Sequence, residues 1–186
     1  VPNRNLMREE AQIIPNQEEY AAGDVAELLV QSPFSPAQGL MTVARSGFVY
    51  TQTFTITEGT ATLQIPIEEA WVPNVVVKVD LVGAAARLDD KGQPLEDVTP
   101  RPAFASGQLT LNIPPVSRTL ALAIEPEATE LEPGAETAID LVATDASGEP
   151  VEGAELAVVV VDESILALTG YDIPDPLVTF YCELGS

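Results

Sequence analysis

The side chains able to do chemistry in this chain are nearly all carboxylates. There are 29 Asp and Glu against 8 Lys and Arg, and no His, for a formal net charge of −21. Without an imidazole there is no Ser-His or Cys-His pair to activate a nucleophile, and no His ligand for a metal. The single cysteine, Cys182, rules out an internal disulfide and any CxxC zinc or redox site. It reads as an idle thiol, since no His is present to activate it. Adjacent carboxylates occur at Glu68-Glu69, Asp89-Asp90 and Asp162-Glu163. Glycoside hydrolysis needs two carboxyl groups flanking a bond at a defined separation. Neighbours in a strand point to opposite faces, and neighbours in a turn are simply solvated, so none of these pairs meets that need. Asp89, Asp90 and Asp145 are hard oxygen donors of the kind calcium takes, but neither loop has the spacing of an EF-hand. Their Gly and Pro neighbours fit Asx turns instead. Trp71, with apolar residues on either side, reads as a plug for a core or a domain interface rather than a sugar platform. No catalytic residue, metal or cofactor is expected.

The charge also narrows the partners. Phosphate neutralisation needs clustered Lys and Arg, so nucleic acid is excluded, and anionic membrane surfaces are disfavoured for the same reason. The longest apolar stretches, such as Leu156–Val161, fall far short of the ~20 residues that span a bilayer, which argues against direct membrane insertion. Hydrophobic residues make up 46% and charged residues 20%, so the composition is that of a folded protein despite the net charge. The opening Val1-Pro2-Asn3-Arg4 has neither an initiator methionine nor an apolar leader, and reads as part of a longer protein whose targeting signal lies elsewhere.

The elements that position these side chains have strand character almost throughout. Phe48–Ile56 is rich in β-branched and aromatic residues, and Ala61–Ile67 alternates apolar and polar with period two. Val75–Val82 and Ala157–Val161 read as central strands buried on both faces. With 16 Pro spread through the chain, long helices have little room, and Ile67–Trp71 is the one helical turn expected. The fold class is all-β. The alternation is expected to bury Leu28, Val30, Leu63, Ile65 and Val77 between two sheets.

An internal repeat organises the strands. Ile13–Gly23 aligns with Ile124–Gly134 at an offset of 111 residues. Ile, Pro and Gly fall in register, and Tyr20 meets Leu131. Beyond the Gly, Leu28 lies over Ile139 and Val30 over Leu141. A second shared unit, Asp-x-x-Gly-x-Pro-aliphatic-Glu, runs from Asp89 to Glu96 and again from Asp145 to Glu152. There Asp starts a turn by bonding its own backbone, Gly closes it and Pro stiffens the exit. The repeat places a boundary near Ile113-Pro114-Pro115-Val116. The expected organisation is a leading segment at 1–12, a sandwich at 13–115 and a second sandwich at 116–186. The second is too short to be a full copy and is expected to be incomplete, with strands at Leu120–Ile124, Thr137–Val142 and Glu155–Leu168. It carries 15 acids and one base.

At the repeat, and at Val161-Asp162-Glu163-Ser164-Ile165-Leu166-Ala167-Leu168-Thr169-Gly170-Tyr171, the sequence resembles the bacterial alpha-2-macroglobulins in their bait-region segment. Tyr20-x-x-Gly23-Asp24 leading into Leu28–Phe34, Leu63–Ile67 and Ala70–Val77 support the match, which covers most of the chain from about Ile13 to Tyr181. The resemblance implies tandem macroglobulin-like domains, each a seven-stranded antiparallel sandwich of the immunoglobulin and fibronectin-III kind. It further implies a non-catalytic scaffold for an endopeptidase inhibitor. A target endopeptidase cuts an exposed bait, the molecule rearranges, and the protease is trapped. The bait-proximal segment would be Gly170, Tyr171, Asp172, Ile173, Pro174, Asp175 and Pro176. The family thioester needs Cys-x-Glu-Gln, and Cys182-Glu183-Leu184-Gly185 lacks it. Implied partners are target endopeptidases, through the full-length parent, and neighbouring macroglobulin domains. The implied location is extracellular or periplasmic, with a lipid anchor on the missing N-terminus. A rival reading is an immunoglobulin-like repeat segment of a bacterial surface adhesin or stalk.

Overall fold

The structure is a computed structural model, and it describes residues 8–95, 97–128, 130–132, 134–161, 163–170 and 174–182. The chain divides into two compact units, the first ending at Pro114 and the second running from Pro115 to Cys182.

Among the described residues, ten strands and two short α-helices follow in order. In the first unit they are β1 (Arg8–Glu10), β2 (Gln12–Pro15), β3 (Val25–Gln31), β4 (Ala37–Ala44), β5 (Phe48–Ile56), β6 (Thr60–Pro66), β7 (Asn74–Ala85) and β8 (Arg101–Asn112). The second holds β9 (Ala121–Pro126), β10 (Ile139–Thr144), α1 (Glu163–Thr169) and α2 (Pro176–Phe180). The expected helical turn is a 3-10 turn at Glu69–Trp71, with Trp71 buried as a plug.

The first unit is a sandwich of a five-stranded sheet, ordered β1-β8-β7-β4-β5, and a three-stranded sheet, ordered β2-β3-β6. Alternation along each strand sends one set of side chains between the sheets. Ala26, Leu28 and Val30 of β3 and Leu63 and Ile65 of β6 are buried on one side. Met41 and Val43 of β4, Val75, Val77, Val79 and Leu81 of β7, and Ala103, Ala105 and Leu111 of β8 are buried on the other. All five residues expected inside are there. Each fully buried aliphatic side chain contributes about 1.5–3 kcal/mol relative to leaving it in water.

Two features depart from the sequence reading. The sandwich begins before Ile13. β1 pairs with β8 in one sheet and β2 pairs with β3 in the other, so the first strand is split and changes sheets at the buried Ala11. The β1–β8 pairing is parallel, while every other strand pair is antiparallel. Counting the two halves as one strand gives the seven of a fibronectin-like sandwich. The crossing depends on Gly107 of β8, where a Cβ would lie 2.0 Å from the Ala11 carbonyl oxygen. Glu9 is tied to Arg101 by an ion pair.

The second unit departs further. Its described strands are the antiparallel pair β9–β10, and no described residue from Pro115 to Cys182 is buried. Ala157–Val161, read as a central strand, is neither strand nor buried, and Val159 and Val160 are each 79% exposed. A run that is apolar on both faces becomes a central strand only with flanking strands and covering layers, and the described residues of this unit supply neither. The expected strand through Leu168 is helix α1 from Glu163.

The repeat is nevertheless structural. Ile13 pairs with Val30 and Ile14 with Leu29, while Ile124 pairs with Leu141 and Glu125 with Asp140. The bond from Asn16 N to Glu27 O recurs as Glu127 N to Ala138 O. Gly23 and Gly134 both turn with positive φ, at 93° and 89°, a conformation that glycine adopts without steric cost. The two hairpins share one register. In the first, Tyr20 is buried over the turn, and its hydroxyl donates to Asn16 Oδ1 at 2.8 Å and accepts from Gln17 N at 3.2 Å. Leu131, in the same place on the second hairpin, is exposed.

Candidate functional site

The expected bait-proximal segment starts at Gly170, after α1, and ends at Pro176, the first residue of α2. In α1, Thr169 Oγ1 bonds back to Ile165 O at 2.8 Å, and Gly170 follows in the left-handed region, a common way to end a helix. Tyr171, Asp172 and Ile173 lie outside the described residues. Pro174 is exposed, and Asp175 caps α2 with Oδ1 accepting from Leu177 N at 2.8 Å, while Pro176 occupies the first helical turn. Isolated helices this short are marginal in water and gain their stability from packing. α2 buries no residue, so local caps hold it. Leu168 is 87% exposed and Phe180 is 79% exposed.

The other candidate carboxylates among the described residues lie at turns. Asp89 Oδ1 accepts from Lys91 N and Gln93 N, both at 2.8 Å. Asp145 Oδ1 accepts from Ser147 N at 2.9 Å and Glu149 N at 3.0 Å, and from the Ser147 hydroxyl at 2.6 Å. The backbone bonds of the two turns match as well: Gly92 N to Asp89 O corresponds to Gly148 N to Asp145 O, and Leu95 N to Arg87 O corresponds to Val151 N to Ala143 O. The Ser147 hydroxyl, followed by the Glu149 amide, holds the Asp145 carboxyl below its ordinary value. Glu68 is exposed and Glu69 half-buried at the 3-10 turn; Asp162 and the Glu163 side chain lie outside the described residues. Cys182 is a free, exposed thiol. Among the described residues no three acidic or thiol groups converge as metal ligands would, and no helix is long and apolar enough to cross a membrane.

Residues 11–168 match the alpha-2-macroglobulin bait region domain. The chain is 30% identical over 168 residues to an alpha-2-macroglobulin homolog of Nostoc sp., covering 90% of this chain and 9% of that protein. Against Escherichia coli alpha-2-macroglobulin the identity is 26% over 162 residues, with 87% and 9% covered. Circularly permutated Ras protein 2 of Dictyostelium discoideum is 28% identical over 171 residues, with 92% and 4% covered. Among solved structures, Salmonella alpha-2-macroglobulin reacted with methylamine aligns over 94% of this chain and 11% of that one, at 22% identity and a TM-score of 0.43. The chain thus spans between 4% and 9% of the length of these curated relatives. The matched stretch closes at Leu168, just ahead of Gly170, and takes in both hairpins of the repeat. By that match over most of its length, the chain belongs to the alpha-2-macroglobulin bait region domain family.

Proposed function

We propose that this chain is a non-catalytic scaffold within an endopeptidase inhibitor, and that it presents a cleavable stretch running from the end of α1 to the end of α2, around the bait-proximal residues 170–176. The observation that carries this reading is positional. Beyond the well-packed sandwich and the second hairpin, the family match closes at Leu168, and the next described helix, α2, buries no residue. The chain's part is mechanical: the cut segment releases restraint, and neighbouring macroglobulin domains of the parent move. Target endopeptidases meet it through the full-length parent, outside the cytoplasm in the periplasm or beyond the cell, with the parent held by a lipid anchor.

The test uses the whole parent protein mixed with an endopeptidase. Trapping should slow hydrolysis of a large protein substrate while hydrolysis of a small peptide substrate continues, because the active site itself is not occupied. Equal inhibition of both substrates, or of neither, would reject the reading.

A further inference from the structure

The residues after Arg118 have an unusual composition for a protease target: from Thr119 to Ser186 there is no Lys and no Arg. We propose that the endopeptidases that cut this chain are those with an apolar primary-specificity pocket, acting after Leu168 and after Phe180. This rests on the reading above and adds the class of enzyme to it. An apolar slot accepts a large apolar side chain before the scissile bond, whereas a pocket carrying a buried acid needs Lys or Arg there. Leu168 and Phe180 stand well out of the surface, at 87% and 79% exposure. Each lies at the C-terminal end of a helix of seven or five residues, and helix ends fray. The bond after Phe180 leads into Tyr181, already outside α2, and the bond after Leu168 leads to Thr169 and Gly170, where α1 stops. Phe48 is as exposed, but it opens β5 and pairs across to Ala44 of β4, so its backbone is held in the sheet.

The experiment digests the full 186-residue chain with chymotrypsin at a low enzyme ratio and follows the products by intact mass. The first products should end at Leu168 or Phe180, with residues 8–114 still whole. First cuts inside 8–114 overturn the proposal. Two variants then transfer the site. Phe180→Arg and Leu168→Arg should each create a trypsin cut after the new Arg and slow the chymotrypsin cut there at least tenfold. If neither variant is cut by trypsin at its new Arg, the segment is not accessible and the proposal fails. The same variants in the parent protein separate this failure from that of the trapping reading. A parent that is cut at these bonds by the enzyme class proposed, but does not trap it, refutes trapping and leaves the specificity standing.

Discussion

A few single residues govern how the first unit closes. Gly107 lets the split first strand pass from one sheet to the other, because its missing Cβ makes room for the Ala11 carbonyl. Gly107→Ala should therefore cost about 1–3 kcal/mol as overpacking against backbone, read as a lower urea midpoint with β1 the first element to lose amide protection. Tyr20→Phe keeps the ring and removes only the hydroxyl that bonds Asn16, so a loss of about 0.5–1.5 kcal/mol is expected. Asp145 supplies a pH dependence whose sign is fixed. Its carboxyl is held below its ordinary value in the folded chain, so the turn's contribution is present above the unfolded value and is lost as pH falls through the folded one. An NMR titration should find Asp145 titrating below an unconstrained Asp, and Ser147→Ala should move it back up. An unchanged titration in the variant would show that the hydroxyl is not the cause.

At the scale of elements, the repeat gives an internal control for what packing adds to a hairpin. Leu28 and Ile139 hold the same register position, but Leu28 is fully buried whereas Ile139 is 39% exposed. Leu28→Ala should cost about 2–5 kcal/mol of the first unit's stability, and Ile139→Ala well under half of that in any unit it belongs to. Chemical denaturation of the two variants side by side measures the difference. The same comparison shows why the sequence could be read so far and no further. The hairpin, the Asx turns and the buried face of β3 and β6 follow from local patterns that depend only on neighbours along the chain. β7, read as buried on both faces, buries one: Val75, Val77, Val79 and Leu81 point inward, while Lys78 and Val82 are exposed because, among the described residues, no layer covers the outer face there. The sheet switch at Ala11 depends on Gly107, nearly a hundred residues away. β8 carries Ser106, Gly107 and small alanines, which give little strand signal, although twelve residues of it pair with β7. The opposite error at Ala157–Val161 has the same root: a pattern states what a segment can pair with, not whether a partner is present. The candidate segment is named by family resemblance alone, while the helix stop at Gly170 and the cap at Asp175 rest on local signals, a glycine and a side-chain acceptor next to Pro176.

For the whole molecule, the two units should differ in how they unfold. The first has a continuous core; the second, among its described residues, has none and carries 15 acids against one base over 116–186. A two-stranded hairpin is marginal in water by itself. Urea titration should show the second unit losing structure first, and added salt should delay that loss by screening its self-repulsion over roughly 8–10 Å. One cooperative transition, insensitive to salt, would contradict this.

The shared register carries one more consequence, for time rather than stability. Just ahead of β10, Ala138 O accepts from Glu127 N next to β9, while Ala143 O within β10 accepts from Val151 N on the other side, so alternate residues turn their backbone groups to opposite edges. Ile139 and Leu141 look outward, and β10 has β9 as its strand neighbour in a two-stranded sheet. Their amide hydrogens should trade with solvent deuterium quickly while those of Asp140 and Val142 trade slowly, a sawtooth along six residues. In β3, flanked by β2 and β6, the corresponding profile should be flat. Among the described residues, the second hairpin is thus a copy of the first whose outer edge is met at Ala143 and Thr144 but open to water at Ile139 and Leu141, legible one proton at a time.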